Sequence, residues 1–284
     1  MKSCYVCKNT DFEIVEGKVR DLPELKILRC SSCGLVFLES FEHIDDKFYS
    51  QSKMRDLDLN KEWQSHINDC FTDDLRRAEF LRPLIINKSV LDFGCGGGGF
   101  LLKIKDFALT CEGIEKDEYF KQILANNNGI KIYDDVDDCS RKFDFITMFH
   151  VLEHLKDPKS TLGKLSKLLN NGGNIFIEVP NADDALLKLF KNKPFSEFTY
   201  WSCHLYLFNN YSLRKLIEAT GLKINYLKQI QRYPLSNHLF WLANGIPGGH
   251  KKWNFLNDAK LNSQYESVLA NLGMADTIIA SVSI

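Results

Sequence analysis

The sequence predicts an α/β fold in which a parallel sheet is wound with helices and a small cysteine-rich module comes first. Three observations predict it. Short apolar runs alternate with helical stretches from residue 89 onward, a glycine-rich turn follows the first of these runs, and two Cys-x-x-Cys pairs lie near the N-terminus. With 284 residues, 44% of them hydrophobic, the chain can bury a large core.

The cysteines of residues 1–40 have the spacing of a four-thiolate zinc site. Cys4-x-x-Cys7 and Cys30-x-x-Cys33 are separated by 22 residues, and Gly34 can supply the turn that directs the second pair at one ion. Such a site leaves no open coordination position, so we expect structural zinc in a zinc-ribbon-like module. Two disulfides or unliganded thiols are the alternatives, and a reducing compartment disfavours the disulfides.

Residues 41–80 are polar with scattered aromatics, and we interpret them as a linker followed by capping helices. Residues 81–284 form the predicted α/β domain. Its strand-like runs are SVLDF, TCEGIE, GIKIY, FDFITMF and NIFIEV, with KINYLKQ and TIIASVSI near the end.

Helix signals lie between these strand-like runs. Asp157-Pro158 is a helix start, and Asn171-Gly172-Gly173 is its predicted end. Ser212 is a predicted cap of a helix that closes at Gly221. Residues 234–272 form an insertion before the last strand, long enough for a lid or for a homodimer contact.

The charge balance limits the partners that we expect. A net charge of -1 and a pI near 6.7 give no electrostatic footprint for a polyanion, so neither nucleic acid nor an anionic membrane is expected to bind. The N-terminal residues MKSCYVCK do not read as a signal peptide, and no run of about 18 apolar residues occurs. We therefore expect a cytoplasmic protein.

The stretch LDFGCGGGGF, residues 91–100, predicts a ligand site. A strand, a glycine-rich turn and a helix start in succession place free backbone N–H groups at the carboxyl edge of a sheet. The turn satisfies G-x-G-x-x-G, so a nicotinamide dinucleotide is one candidate. Asp92 disfavours it, because a carboxylate faces phosphates poorly and suits a cationic ligand better.

These motifs resemble the class I S-adenosylmethionine-dependent methyltransferases. LDFGCGGGGFL is similar to their first motif, FDFITMFHVLEHLKDP to the segment around their fourth strand and GGNIFIEVPN to the fifth, over roughly residues 75–230. The resemblance implies a Rossmann-like seven-stranded sheet with helices on both faces, an antiparallel last strand and S-adenosylmethionine as cofactor. Glu115 is the implied ribose-binding acid and Asp135 the implied adenine-contacting acid. The implied cofactor-binding residues are Asp92, Gly94, Cys95, Gly96, Glu115, Lys116, Asp135 and Phe149.

The segment HVLEH carries the candidate chemistry. His150, Glu153 and His154 match the H-x-x-E-H of inverted zinc peptidases, but that motif needs a helix and His150 should end a strand. The segment also resembles the Glu-x-x-Glu-His of ubiquinone-biosynthesis O-methyltransferases and small-RNA 2′-O-methyltransferases, which binds a divalent metal that orients the acceptor hydroxyl.

Three interpretations of these residues remain open. A second divalent metal can bind His150, Glu153 and His154, joined by His204, and the imidazoles would favour a transition metal. Alternatively, His150 or His154 is a metal-free general base. In the third interpretation, Glu153 and His154 are only structural.

The acceptor class follows from resemblance alone. A zinc module ahead of a methyltransferase domain is similar to bacterial enzymes that modify sugars, nucleotide sugars and other surface-polysaccharide precursors. We therefore expect O-methylation of a small molecule that contains sugar or phosphate. An RNA methyltransferase and a catalytically idle cofactor-binding scaffold are the alternatives.

Overall fold

The strands of the described residues form two sheets. The structure is a computed structural model, and it describes residues 3–45, 47–50 and 62–284. The strands are, in chain order, β1 (Phe12–Ile14), β2 (Ile27–Cys30), β3 (Val36–Leu38), β4 (Ser89–Phe93), β5 (Thr110–Ile114), β6 (Lys131–Tyr133), β7 (Phe143–Phe149), β8 (Leu169–Pro180), β9 (Tyr206–Leu207), β10 (Lys223–Ile230) and β11 (Thr277–Ser283). The α-helices are α1 (Trp63–Ile85), α2 (Gly99–Ile104), α3 (Glu118–Asn128), α4 (Pro158–Lys167), α5 (Ala185–Lys188), α6 (Lys193–Thr199), α7 (Asn210–Glu218), α8 (Leu235–Asn244), α9 (Gly249–Lys252) and α10 (Ala259–Leu272).

The larger sheet has seven strands in the order β10-β11-β8-β7-β4-β5-β6. Strands β4 to β8 pair in parallel, and β11 runs antiparallel to both β8 and β10. All five residues of β4 are buried, as expected for a central strand covered on both faces. The predicted α/β fold with an antiparallel last strand is confirmed.

Two hydrophobic cores cover the two faces of this sheet. Leu91 and Ile146 pack in one core with side chains of α4, α7 and the N-terminal module. Val90 and Phe145 lie in the other core, which contains side chains of α1, α2 and α3. The alternation along β4 and β7 therefore directs successive side chains to opposite layers.

The smaller sheet joins the N-terminal module to the rest of the chain. Its order is β1-β2-β3-β9, and all its pairs are antiparallel. Strand β9 lies far downstream in sequence, and Val36 pairs with Leu207. Phe37 of β3 and Tyr206 of β9 are both fully buried in the core that also contains the strands of the larger sheet.

The end of one helix and the start of another differ from the sequence prediction. Asp157 caps α4 by accepting from the N–H of Ser160, as predicted, but the helix ends at Lys167 and β8 begins at Leu169. Asn209, not Ser212, is the N-cap of α7. Ser212 occupies the third position of that helix, where its hydroxyl accepts from the Asn209 N–H in a capping box.

The predicted linker and insertion contain more regular helix than the sequence suggested. Helix α1 runs past the boundary expected at residue 80, while residues 51–61 of the predicted linker lie outside the described residues. The insertion at 234–272 contains α8, α9 and α10. Across the described ranges, none of the helices combines the length and apolarity needed to cross a membrane.

A buried carboxyl group at the start of α5 makes folding pH-dependent. Asp184 is buried and accepts from the N–H of Leu186, at 2.6 Å. Burial and the nearby Asp276 carboxylate raise the pKa of Asp184 to about 8. In the unfolded chain this carboxyl ionises near pH 4, so between about pH 4 and pH 8 the folded form holds a proton that the unfolded form has lost. This contribution to stability is lost as the pH rises through that window.

We expect Asp184→Asn to stabilise the protein at alkaline pH, because asparagine keeps the cap acceptor and cannot ionise. Measured in urea, its free energy of unfolding relative to that of the wild type should increase by at least about 1 kcal/mol between pH 5 and pH 8.5. Asp258→Asn, at the exposed N-cap of α10, is the control and should leave the pH dependence unchanged. Equal pH profiles for wild type and Asp184→Asn would contradict the prediction.

Candidate active site

A cavity of about 400 Å³ opens at the carboxyl ends of β4, β5 and β7. This is the edge at which open α/β sheets bind ligands. Seven of the predicted cofactor residues line this main cavity: Asp92, Gly94, Cys95, Gly96, Glu115, Lys116 and Phe149. His150 and His154 line it as well. The structure thus brings together side chains from three separate stretches of sequence.

The glycine-rich turn shapes the floor of the main cavity. Gly94, Gly96 and Gly98 have φ values of 74°, 51° and 77°, in the left-handed region that favours glycine. A Cβ atom on Gly94 would lie 2.5 Å from the Cγ2 of Val151. Both the backbone conformation and the close packing therefore require glycine, and the bare backbone leaves room for a ligand.

The Glu115 carboxylate is fixed by backbone N–H groups at the end of β5. Its Oε2 accepts from Gly96 at 2.7 Å, and its Oε1 accepts from Lys116 and Asp117 at 2.7 and 2.8 Å. Burial raises the pKa of Glu115, and these N–H groups oppose that shift. The carboxylate is therefore held in one orientation against the glycine turn, and of its roughly four acceptor positions one is left for a hydroxylated ligand.

Asp92 lies deeper in the main cavity and is almost completely buried. The Thr147 hydroxyl donates to its Oδ1 at 2.7 Å. Burial raises the pKa of Asp92 to about 7, although the threonine hydrogen bond opposes this shift. A positive charge on a ligand near this carboxyl would favour its ionised form.

Asp135 is the one predicted cofactor residue that the structure places outside the main cavity. Its carboxylate accepts from the Nζ of Lys116 at 3.1 Å, and it caps a 3₁₀ turn over Val136–Asp138. This arrangement gives the predicted contact with the adenine ring no support, and that contact stays a prediction.

One face of α1 supplies cavity residues that sequence reasoning missed. His66, Cys70, Asp73 and Arg77 line the main cavity, and their spacings of four, three and four residues place them on one side of the helix. The Nε1 of Trp63 donates to the carbonyl of Gly97 at 2.9 Å, which ties the helix start to the glycine turn. The sequence did contain a signal for this contribution: charged residues such as Asp73 and Arg77 recur at the spacing of a buried helix face.

A buried carboxylate anchors α1 to β8. Glu178 is fully buried, and its Oε1 accepts from Arg77 Nη2 at 2.7 Å and from Arg76 Nη2 at 2.9 Å. Burial alone would raise the pKa of Glu178, but the guanidinium of Arg77 and its other neighbours hold this pKa well below its usual range. The ion pair fixes α1 across the carboxyl edge of the sheet.

His150 has one ring nitrogen committed to a guanidinium. Arg232 Nη1 lies 2.8 Å from His150 Nε2. Because a guanidinium only donates, Nε2 is the acceptor, and the proton must reside on Nδ1, which lies 3.3 Å from Glu153 Oε1. Arg232 is itself paired with Asp73. His150 also has an unusual positive φ of 55°. Because His150 Nε2 already accepts from Arg232, its lone pair is not free to serve as a general base in this arrangement.

Glu153, His154 and His204 form a compact cluster at the edge of the main cavity. One ligand atom from each residue lies within 4.8 Å of the others. Among the described residues, neither oxygen of the fully buried Glu153 carboxylate has a hydrogen-bond partner, since the His150 contact is not aligned for one. His154 Nδ1 donates to the Cys203 carbonyl at 2.8 Å, and His204 Nδ1 donates to the Thr199 carbonyl at 3.1 Å.

This cluster has the chemistry of a divalent metal site. The two Nδ1–H donations leave each Nε2 as a lone-pair donor, the arrangement common among metal-binding histidines. Burial lowers the pKa of His154 and lowers that of His204 to about 4, so both rings are neutral at pH 7. The structure groups His204 with Glu153 and His154 and places His150 outside this group, which differs from the ligand set expected from HVLEH.

The four cysteines of the N-terminal module converge as well. All four sulfurs lie within 4.8 Å of one another, with Cys4 to Cys33 at 3.6 Å and Cys7 to Cys30 at 3.4 Å. Four thiolates around one zinc ion would be about 3.8 Å apart, given Zn–S bonds of about 2.3 Å. Lys8 and Gly34, which follow the two pairs, share the same left-handed backbone, so the two turns match.

The model of a family described as a methyltransferase domain matches residues 58–227. The mitochondrial ubiquinone biosynthesis O-methyltransferase of Candida albicans is 29% identical over 188 residues, which cover 60% of this chain and 55% of that protein. The tRNA U34 carboxymethyltransferase of Aliarcobacter butzleri is 29% identical over 161 residues, covering 51% of this chain and 49% of that protein. The chain spans about half the length of the curated relatives it matches.

Solved structures share the fold at low sequence identity. A chain of the complex between the Haloferax volcanii Trm112 methyltransferase activator and a methyltransferase has a TM-score of 0.53 and 14% identity, covering 78% of this chain and 93% of that one. The plantazolicin methyltransferase, bound to a substrate analogue and S-adenosylhomocysteine, has a TM-score of 0.51 and 18% identity, covering 82% of this chain and 92% of that one.

We expect Glu115→Gln to weaken the binding of S-adenosylmethionine. Replacing the charged acceptor should remove hydrogen bonds to the ribose hydroxyls and reduce the affinity about 10- to 100-fold, which calorimetric titration measures. Asp135→Asn is the matched control, because this acid lies outside the main cavity. Its affinity should stay within about twofold of the wild type. A loss in Asp135→Asn without one in Glu115→Gln would reverse the assignment.

Proposed function

The chain belongs to the family of S-adenosylmethionine-dependent methyltransferases, and we propose that it methylates a hydroxyl group of a small molecule with the help of a divalent metal. The cluster of Glu153, His154 and His204 beside the main cavity carries this proposal. A buried carboxylate without a hydrogen-bond partner is costly unless a ligand satisfies it.

The main cavity supports the binding of the cofactor in one orientation. Glu115 would accept from the ribose hydroxyls, and the turn of Gly94 and Gly96 would pass close to the methionine part. Asp92 is buried near the same turn, where a carboxylate favours a positively charged sulfonium. Phe149 and Lys116 complete this side of the cavity.

Glu153, His154 and His204 would hold the metal. Bound there, a divalent cation supplies Lewis-acid chemistry that lowers the pKa of an acceptor hydroxyl and orients it. Two imidazoles and one carboxylate suit zinc or another transition metal better than magnesium. The protein's own part is positioning, since methyl transfer from a sulfonium mainly requires alignment of the acceptor with the methyl carbon and sulfur.

In the alternative mechanism, which needs no metal, His154 takes the proton of the acceptor hydroxyl. Its Nε2 carries a lone pair and its ring lines the main cavity, so it could accept the hydroxyl proton directly. Metal binding by the cluster distinguishes the two mechanisms. His150 contributes in both by holding Arg232 and by flanking Glu153.

We propose a hydroxyl-rich acceptor, such as a sugar, nucleotide sugar or other surface-polysaccharide precursor. A second cavity of about 360 Å³ lies between the end of β10 and α10, and Arg232 lines both cavities. Tyr233, Asn262 and Glu266 give this second cavity the aromatic and hydrogen-bonding groups that suit sugar hydroxyls. The net charge of -1 disfavours an RNA acceptor.

The cysteine cluster is proposed to bind structural zinc. Its sulfurs have the number and spacing of a closed tetrahedral site, with no position left for substrate. Thiolates persist in a reducing compartment, which supports a cytoplasmic location.

Glu153→Gln should weaken binding of the second metal. In zinc-loaded protein titrated with Co²⁺ and followed by visible absorption, the affinity should fall at least about 10-fold, because the charged ligand is lost. S-adenosylmethionine affinity should not change, since Glu153 is not among the residues lining the main cavity. Glu218→Gln, an exposed residue of α7, is the control. Wild-type protein that binds no Co²⁺, yet forms S-adenosylhomocysteine with a hydroxylated acceptor in the presence of a chelator, would favour His154 as the base.

We expect the cysteines to hold one equivalent of zinc in protein purified under reducing conditions, measured by elemental analysis in the Glu153→Gln background so that the second metal site does not contribute. Cys30→Ser should lose most of this zinc and unfold at lower temperature, because the module then lacks one of its four thiolates. Cys139→Ser, outside the module, should retain the metal. A zinc-free wild type with the same thermal stability would rule out a structural role for the ion.

A further inference from the structure

Both imidazoles of the Glu153 cluster depend on one short piece of chain. Residues 199–208, the histidine segment, contain His204, and the Thr199 carbonyl fixes its ring. The Cys203 carbonyl in the same segment fixes the ring of His154. The geometry of the cluster therefore follows the position of the histidine segment.

The N-terminal module holds the histidine segment along its length. Asp21 accepts from the N–H of Ser202 at 3.0 Å and from its hydroxyl at 2.6 Å. His43 Nε2 donates to the Ser202 carbonyl at 2.9 Å. The N–H of Arg20 donates to the Tyr200 carbonyl at 2.9 Å, and the N–H of Leu38 donates to the Leu205 carbonyl at 3.2 Å.

Side-chain packing follows the same pattern. The guanidinium of Arg20 lies over the ring of Trp201, 4.2 Å from its centre. Phe41 packs edge-on against Tyr206 of β9, with ring centres 5.2 Å apart. The segment is thus fixed by backbone pairing, by a carboxylate, by an imidazole and by aromatic contacts, all from residues 20–43.

We propose that the cysteine module is a positioning element for the Glu153–His154–His204 cluster and that Asp21 is its main positioning residue. The inference rests on the proposed function only in taking this cluster as a metal site. Asp21 acts through Ser202, directly before Cys203 and His204, so its two hydrogen bonds set the path of the backbone at the point where both rings are anchored.

Asp21 provides a cleaner test than the cysteines, whose replacement can unfold the module. Asp21→Ala removes both hydrogen bonds, Asp21→Asn keeps an acceptor, and Glu24→Ala removes an exposed carboxylate of the same module as the control. Each variant is prepared with zinc at its cysteines, verified by elemental analysis. Histidine-ring ¹H–¹⁵N correlation spectra then report the environment of His154 and His204, and Co²⁺ titration reports metal affinity.

We expect Asp21→Ala to shift or broaden the ring resonances of His154 and His204 and to weaken Co²⁺ binding about 10- to 100-fold. The Co²⁺ affinity of Asp21→Asn should lie within about threefold of the wild-type value, and Glu24→Ala should match the wild type in both measurements. S-adenosylmethionine affinity should be equal in all of them, because Asp21 does not line the main cavity.

Two outcomes would overturn the proposal: ring spectra and Co²⁺ affinity unchanged in Asp21→Ala, or the same changes in Glu24→Ala. Failure of the proposed metal site gives a different result. In that case the wild type takes up no Co²⁺ at the cluster, and the ring spectra of Asp21→Ala alone decide whether the module positions the two histidines.

Discussion

The arrangement of the active site depends on the neutralisation of one buried carboxylate, Glu178 on β8. An unpaired charge at this depth would be strongly destabilising, so two guanidinium groups of α1 must reach it. Their approach brings α1 across the carboxyl edge of the sheet, where Asp74 packs against Gly99 so closely that a Cβ atom there would lie 2.0 Å from its Oδ2. The wall of the main cavity is therefore a consequence of this ion pairing.

Two neighbouring carboxylates of the site, Glu178 and Glu153, differ in their hydrogen bonding. Glu178 accepts from the guanidinium groups of Arg76 and Arg77, whereas Glu153, equally buried, has no aligned donor in the part of the chain that the structure describes. His150 lies between them and keeps its proton on the side of Glu153. Because Glu178 accepts hydrogen bonds from both guanidinium groups, its network fixes structure. The unsatisfied carboxylate is the group that remains available for a cation.

The sequence predicted the features that depend on local pattern. Strand periodicity, the left-handed glycines of residues 94–98 and the paired cysteines each follow from a few adjacent residues, and the sheet and the cavity floor lie where they were expected. The contribution of α1 to the cavity and the pairing of β3 with β9 join distant parts of the chain. Adjacent residues in the sequence do not predict such long-range pairings. They depend on which buried charges lack a counter-ion and which strand edges lack a partner once the rest of the chain has folded. The ion pair of Asp135 is of the same kind, since its partner Lys116 follows a different strand.

The charge balance of the main cavity explains why a sulfonium cofactor suits it. Asp73 is paired with Arg232 and Asp74 with Arg77, so these charges largely cancel. Asp92 and Glu115 are held instead by a hydroxyl and by backbone N–H groups, and burial raises the pKa of both carboxyls. A positively charged ligand stabilises their ionised forms, whereas a neutral ligand leaves the desolvation cost in place. In the proposed binding mode Asp92, which lies near the sulfonium position, would therefore favour the charged methyl donor over its thioether product, whereas Glu115 would hold the ribose that donor and product share.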